Sequence, residues 1–279
     1  MICSTLANIK SENTMINLTI DVYTIPCLSD NYAYVIHNTA TGKAAIVDVP
    51  DAGPIIAKIK ELGATVTEIF LTHHHWDHID GLDDLQIALV TQLDQTRCRV
   101  FGAKADAHRL PPLDEALSPG QTVQICGVEG KIFDVSGHTL GHLALHMPGI
   151  KALFTADSLM AMGCGRLFEG SAAQMWQSLS QLRTLPSDTL VYSGHEYTVS
   201  NMAFTLSLGE INPDIATRAA QITTDRAAGH ATVPSLLSLE LETNPFLRAD
   251  NPSLQAIVGM SGKQPVEVFA AIRGLKDNF

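Results

Sequence analysis

Residues 68–78 read Glu68-Ile69-Phe70-Leu71-Thr72-His73-His74-His75-Trp76-Asp77-His78, an apolar run that ends in a crowd of metal-donor side chains. The apolar part has the look of a buried strand that is about to end. On a strand, residues i and i+2 project from the same face. His73 and His75 can therefore grip one cation while His74 points away. Asp80-Gly81 then signals a turn, which can carry Asp77 and His78 round to a second cation. One zinc ion takes about four ligands, roughly three of them from protein in a catalytic site. This run is too dense for one tetrahedral ion and suits a pair of ions completed from elsewhere. A histidine tag would be a homopolymer at a terminus, whereas this run is internal and interrupted by Trp76 and Asp77.

The chain has 279 residues, 46% hydrophobic and 17% charged, enough for a sizeable core and comfortable for two domains. It holds no apolar stretch long enough to span a membrane. The opening residues 1–14, MICSTLANIKSENT, lack the basic and apolar regions of a secretory signal and read as a loose extension. Met15 is an alternative start. The five cysteines are odd in number, scattered and without a C-x-x-C pair, which points to free thiols in a reducing cytoplasm. Cys164 is read as a packing residue despite its Gly163-Cys164-Gly165 loop. A net charge of −11 argues against nucleic acid or an anionic membrane as partner, since both need a basic face. A small anionic substrate needs only a few local cations, and a monomer is the expected state.

Short Val-, Ile-, Phe- and Tyr-rich runs bounded by Gly, Pro, Asn or Asp predict strands over 16–25, 32–37, 44–48, 66–71, 98–101, 122–126, 131–135, 143–147, 151–155 and 189–193. Helical spacing predicts helices over 53–62 behind Pro54, and over 172–184. After about residue 196 the pattern turns helical, over 198–208, 213–228 and 264–275. Residues 235–239, followed by Asn244-Pro245 and Asn251-Pro252, read as linker. The expected layout is a loose extension 1–14, a mixed α/β domain 15–195 and a smaller, mainly helical domain 196–279.

Three further segments put a His or Asp at a strand end beside small residues, which let the backbone pass close to an ion. They are Gly137-His138-Thr139, Ala156-Asp157-Ser158 and Gly194-His195-Glu196. His73, His75 and His138 can serve one ion, and Asp77, His78 and His195 the other, with Asp157 bridging. That is the arrangement of a two-metal hydrolytic clamp, the ions about 3.5–4 Å apart with a hydroxide between them. Two divalent ions, two carboxylates and one hydroxide leave about one positive charge, which favours an anionic tetrahedral transition state. His142 is read as supporting or structural; His37, His74, His108, His146 and His230 are given no catalytic role.

These residues together resemble the metallo-β-lactamase superfamily, and within it glyoxalase II, the hydroxyacylglutathione hydrolases of bacterial type. The likeness runs from about Met15 to Phe279. Its more specific marks are Gly163-Cys164-Gly165-Arg166-Leu167-Phe168-Glu169-Gly170, Gly194-His195-Glu196-Tyr197-Thr198, Asn244-Pro245-Phe246-Leu247-Arg248 and Arg273-Gly274-Leu275-Lys276-Asp277. The resemblance implies an αββα sandwich with metals at one edge, followed by a helical domain. It further implies hydrolysis of S-D-lactoylglutathione to glutathione and D-lactate, the second step of methylglyoxal detoxification. The implied substrate-binding positions are Arg166, Phe168, Tyr197, Asn201, Arg273 and Lys276. Many members carry Lys and Tyr where this chain has Arg166 and Phe168. Phe168 cannot donate a phenolic hydrogen bond, a loss of about 1 kcal/mol in glutathione affinity if nothing replaces it.

The expected chemistry is attack on the thioester carbonyl by the bridging hydroxide, with Asp77 both ligand and orienting group. A thiol of pKa near ~8.5 leaves without a strong general acid. His and carboxylate donors suit zinc first, with iron or manganese as alternatives. Rival readings are an iron-dependent persulfide dioxygenase, a hydrolase of another small thioester, a β-lactamase, a tRNA-processing nuclease and a non-catalytic module. The last would be expected to have lost ligands, and the nuclease would need a basic surface.

Overall fold

Why the metal-donor run can be held rigidly follows from the strand that feeds it. The structure is a computed structural model that describes residues 19–279. Its first sheet runs in sequence order through β1 (Ile20–Cys27), β2 (Asn31–Asn38), β3 (Lys43–Val47), β4 (Thr65–Phe70), β5 (Arg99–Ala103) and β6 (Glu115–Leu117). The β1–β2–β3 pairings are antiparallel, and those from β3 to β6 are parallel. Parallel neighbours need crossovers. These are α1 (Ala52–Leu62), between β3 and β4, α2 (Trp76–Ile79) with α3 (Leu82–Leu93), between β4 and β5, and a connection with a 3-10 turn at Lys104–Asp106, between β5 and β6. Asp51 caps α1 by accepting from the Gly53 amide, and Gly63 ends it at φ 60°.

The second sheet uses β7 (Thr122–Ile125), β8 (Val128–Asp134), β9 (Leu143–Met147) and β10 (Ala152–Ala156). After β10 come a small hairpin, β11 (Leu159–Met160) with β12 (Gly163–Cys164), then α4 (Ala172–Leu182), β13 (Leu190–Ser193) and, later, β14 (Ser235–Leu236). The spatial order is β14-β13-β10-β9-β8-β7, and α4 makes the crossover for the parallel pair β10 and β13. Ser171 and Gln174 form a reciprocal capping box at the start of α4.

The two sheets face each other across a core that includes Ile36, Ile46, Phe70 and Phe101 from the first and Ile132, Leu145, Phe154 and Tyr192 from the second, with Ile55 and Leu85 packed on from the helices. A second cluster joins Leu153 and Val191 to Leu179 of α4 and to Phe204, Phe246, Phe269 and Ile272. These last four belong to α5 (Thr198–Ser207), a 3-10 turn Pro245–Leu247 and α9 (Pro265–Asp277). The helix–sheet–sheet–helix layering is the expected αββα sandwich. The core runs across residue 195, however, because the following segment supplies β14 to the second sheet through Leu190–Leu236 and Val191–Ser235 pairing.

Several expectations shift. The first strand, expected over 16–25, is β1 at Ile20–Cys27, and the part of the expected run before residue 19 lies outside the described residues, as do the 1–14 extension and Met15. The α3 helix carries apolar side chains all round, with Ile87 and Val90 exposed opposite Leu85 and Leu89, which blurs its periodicity. Residues 235–252 are not linker. They follow α6 (Pro213–Ala227), form β14, α7 (Leu237–Thr243) and the Pro245–Leu247 turn, and lead into α8 (Pro252–Ile257). Each Asn-Pro pair is a cap followed by a first-turn proline: Asn244 Oδ1 accepts from the Phe246 amide, and Asn251 Oδ1 from Ser253 and Leu254.

Candidate metal centre

The donor run begins where β4 stops, and a carboxylate from the neighbouring strand end fixes it. Asp48 follows β3 at φ 58° and is buried; its Oδ1 accepts from the Thr72 amide at 2.8 Å and its Oδ2 from Thr72 Oγ1 at 2.8 Å. Asp48 Oδ2 also lies 2.8 Å from His78 Nδ1. Thr72 Oγ1 in turn stands 3.0 Å from His73 Nδ1. The reversal that brings Asp77 and His78 inward comes earlier than the expected Asp80-Gly81 turn: His75 already caps α2, which carries both residues.

The structure gathers all seven expected donors. His73, His75 and His138 form one group with donor atoms within 4.8 Å of one another; His73, His78 and Asp157 form a second, and Asp77, His78 and His195 a third. Asp157 is central. Its Oδ2 is 3.4 Å from His138 Nε2 and 3.3 Å from His195 Nε2, and its Oδ1 is 3.4 Å from His78 Nε2. His138 Nε2 and His75 Nδ1 are 3.0 Å apart, and His195 Nε2 is 3.5 Å from Asp77 Oδ2.

The opposite ring nitrogens are engaged elsewhere. His138 Nδ1 faces the Arg166 carbonyl at 2.8 Å, and His195 Nδ1 faces Asp30 at 2.9 Å. Such outer contacts fix the tautomer and aim the free nitrogen at a metal. Inside the cluster, His73 Nε2 and Asp157 Oδ1 are buried without a hydrogen-bond partner. Buried polar atoms are normally paired, so these orphans, aimed into a set of convergent donors, fit a divalent metal centre. Glycine makes the approach possible: a Cβ at Gly194 would fall 2.5 Å from Asp157 Oδ1, and one at Gly165 would fall 1.8 Å from the Asp157 carbonyl oxygen.

Charge follows the same logic. Burial, then His78, drives His73 well below its ordinary pKa, and burial, then His138, lowers His75 to about 4. Both are neutral at pH 7, the form that binds metal. Burial would raise Asp157, yet His195 and His78 outweigh it and hold the carboxyl well below its usual range. Burial opposes charge on His78 and His195 too, yet Asp157 outweighs it and raises both, so these two imidazoles share the carboxylate with protons until a metal replaces them.

His142, expected to be supporting or structural, is buried with its ring 4.6 Å from that of His73. Asp48 and Asp30 were not anticipated. Each follows a strand end or a turn with no motif around it, and only the fold brings it beside a histidine.

A cleft of about 620 Å³ opens onto the cluster, lined by His75, Asp77, His138, Asp157 and His195 and by all six expected substrate positions. Those six differ in kind. Arg166 and Phe168 are exposed, and Tyr197 lies flat on His195 with ring centroids 4.6 Å apart. Asn201, Arg273 and Lys276 are already engaged. Asn201 Nδ2 donates to the Ala161 carbonyl at 3.0 Å, and Lys276 Nζ donates to the Ser200 carbonyl and hydroxyl at 3.0 Å. Buried Arg273 donates to the Cys164 carbonyl at 3.0 Å and pairs with Asp277 at 2.9 Å. Cys164 packs against that arginine, and burial pushes its thiol up to about 11.

Residues 97–195 match the metallo-β-lactamase superfamily, and residues 196–279 match the C-terminal region of hydroxyacylglutathione hydrolases. A curated hydroxyacylglutathione hydrolase of Ruegeria pomeroyi is 55% identical over 260 residues, which is 93% of this chain and 99% of the relative. One from a Jannaschia species is 56% identical over 92% of this chain and 98% of its own length. The chain belongs to the hydroxyacylglutathione hydrolase family. Among solved structures, the BLEG-1 B3 metallo-β-lactamase superimposes with a TM-score of 0.61 at 22% identity, over 81% of this chain and 99% of that one. That likeness concerns the fold alone.

Proposed function

We propose that the chain hydrolyses S-D-lactoylglutathione to glutathione and D-lactate, the second step of methylglyoxal detoxification, at a binuclear centre. Its full-length relatives carry the name of that thioester hydrolase class, and the rival persulfide dioxygenase reading finds no support among them. In this reading His73, His75 and His138 hold one ion, Asp77, His78 and His195 the other, and Asp157 stands between. The observation that carries it is the convergence of seven donors, two of which, His73 Nε2 and Asp157 Oδ1, are buried without a hydrogen-bond partner.

Divalent ions bound there supply Lewis acidity and lower the pKa of water toward ~7. The chain's own residues do the rest. Asp77, steadied by Asn31 Nδ2 at 3.1 Å, faces the cleft and orients the attacking water by accepting its hydrogen bond. Tyr197 flanks the thioester with its ring face, Phe168 offers an apolar surface to the glutathione part, and Arg166 and Lys276 receive its carboxylates. The departing thiolate has a parent pKa near ~8.5 and leaves without a dedicated acid.

Zinc is our choice of metal, since neutral imidazoles and carboxylates at a hydrolytic site suit it, with iron and manganese competing for the same donors. The four described cysteines are buried free thiols, which suits a reducing cytoplasm. No helix among the described residues is long and apolar enough to cross a membrane. A monomer is the state we expect. Steady-state loss of thioester absorbance with S-D-lactoylglutathione, alongside metal analysis, tests the proposal: full metal loading without turnover refutes it.

A further inference from the structure

Four side chains used neither by the donor set nor by the expected substrate contacts form a ring beside both. His74, the middle histidine of the run, places Nδ1 3.1 Å from Asp106 Oδ2. Asp106 is buried, and its Oδ1 accepts from Arg109 Nε at 3.2 Å and Nη2 at 2.6 Å. Arg109 reaches on to Glu169, with Nη2 donating to Oε2 at 3.2 Å and Nη1 donating to Oε1. Glu169 Oε2 also accepts from the Leu140 amide at 2.8 Å, and Oε1 closes the ring 3.6 Å from His74 Nε2.

The place for Asp106 is prepared: a Cβ at Gly141 would fall 2.1 Å from its Cγ. The ring therefore ties together the donor run at 73–78, the turn after β5, the loop after His138 and the segment 165–170. Glu169 adjoins Phe168 and lies three residues beyond Arg166, and the amides of Phe168 and Glu169 both reach the His138 carbonyl at 3.3 Å. Arg109 lowers the Glu169 carboxyl to about 2, so it is ionised throughout the working range. A guanidinium shared by two carboxylates is a directional link, because its planar fork offers several fixed N–H donors.

We propose that Arg109 and Glu169 form a clamp that holds the Arg166–Phe168 wall of the cleft against the metal-binding loops. They are positioning residues, since neither touches the cleft; His74 and Asp106 anchor the clamp from the metal side. The proposal rests on reading the cleft as a glutathione thioester site.

The test uses the metal-loaded full chain and four variants: Glu169→Ala, Arg109→Ala, both together, and Glu169→Gln. Each single alanine variant raises KM for S-D-lactoylglutathione about tenfold with kcat within about threefold and metal content unchanged, and the double variant adds little, because coupled partners are not additive. Glu169→Gln keeps an acceptor for the Leu140 amide and shows a smaller KM rise. Amide hydrogen exchange across 166–170 accelerates in the same variants, while that of β10 does not. The exchange readout is independent of turnover: if the parent chain fails to hydrolyse the thioester but exchange responds, the functional reading has failed and the clamp stands. Unchanged exchange across 166–170, KM effects that multiply in the double variant, or a KM rise accompanied by metal loss would overturn the clamp.

Discussion

The donor cluster and the cleft wall above it are built on opposite principles. In the cluster, His73, His78, His138 and His195 are buried, with one ring nitrogen committed to a neighbour and the other turned inward. On the wall, Phe168 is exposed and Arg166 reaches Asp277 only through an exposed 3.6 Å pair, while Asn201, Arg273 and Lys276 are tied to the protein's own carbonyls and side chains. The first arrangement minimises reorganisation around ions of fixed geometry. The second leaves a flexible substrate some side chains that can adapt and others that shape the cleft without moving. Substitutions should therefore act on metal content in one region and on substrate affinity in the other.

The sharpest break falls on the bridging carboxylate. Asp157→Ala removes the carboxylate that faces His78, His138 and His195 at once, so metal content and thioester hydrolysis should vanish together, a loss of ~10³-fold or more in kcat given the scale of metal catalysis. His75→Ala should do the same to a lesser degree. Metal analysis beside turnover checks this, and an active, metal-replete Asp157→Ala protein would sink the shared-site reading.

The next effect tests the outer supports. Asp48→Asn weakens the hold on both Thr72 and His78, and metal affinity should fall about 10–100-fold, the usual cost of losing such a partner. Turnover should return when excess zinc is added. A metal-saturated variant with parental affinity, measured by chelator competition, would show that Asp48 serves only the backbone.

How much of this was legible in the chain depends on how local the information is. The 73–78 run announces itself because its donors are consecutive, and His138, Asp157 and His195 each sit beside glycine or alanine at a strand end. Asp48 does not, since its value depends on β3 ending beside β4, a fact of pairing rather than of spacing. The Asn-Pro pairs of the C-terminal part mislead for another reason: the same dipeptide begins a turn or caps a helix, and only burial of Phe246 and Leu254 decides between them. Arg273 was expected at the substrate because the family resemblance places it there, and its commitment to Cys164 and Asp277 is visible only in three dimensions.

That commitment separates two arginines of the wall. Arg166→Ala, at an exposed side chain, should raise KM several-fold, on the scale of one charge-assisted contact, and leave the melting temperature alone. Arg273→Met leaves the Cys164 carbonyl without its donor in a buried place, so it should lower stability by about 2 kcal/mol as well as raise KM. Denaturant unfolding of the two variants side by side tells them apart. Equal stabilities would mean that Arg273 is as free as Arg166.

The smallest expected effect falls on Phe168. Phe168 is exposed at the cleft, with its ring 5.7 Å from that of His75 and 5.2 Å from that of His138. It offers substrate an apolar surface and no donor. Phe168→Tyr adds one hydroxyl at the edge of a site where a peptide carbonyl of the glutathione part is expected to lie, and a single neutral hydrogen bond is worth about 1 kcal/mol. The gain should appear as a fall in KM of up to about fivefold with kcat unchanged, because the contact is made to the glutathione part in ground state and transition state alike. A change in kcat instead would place the Phe168 ring against the reacting thioester itself, and would move it from the wall that binds the carrier to the part of the cleft that shapes the reaction.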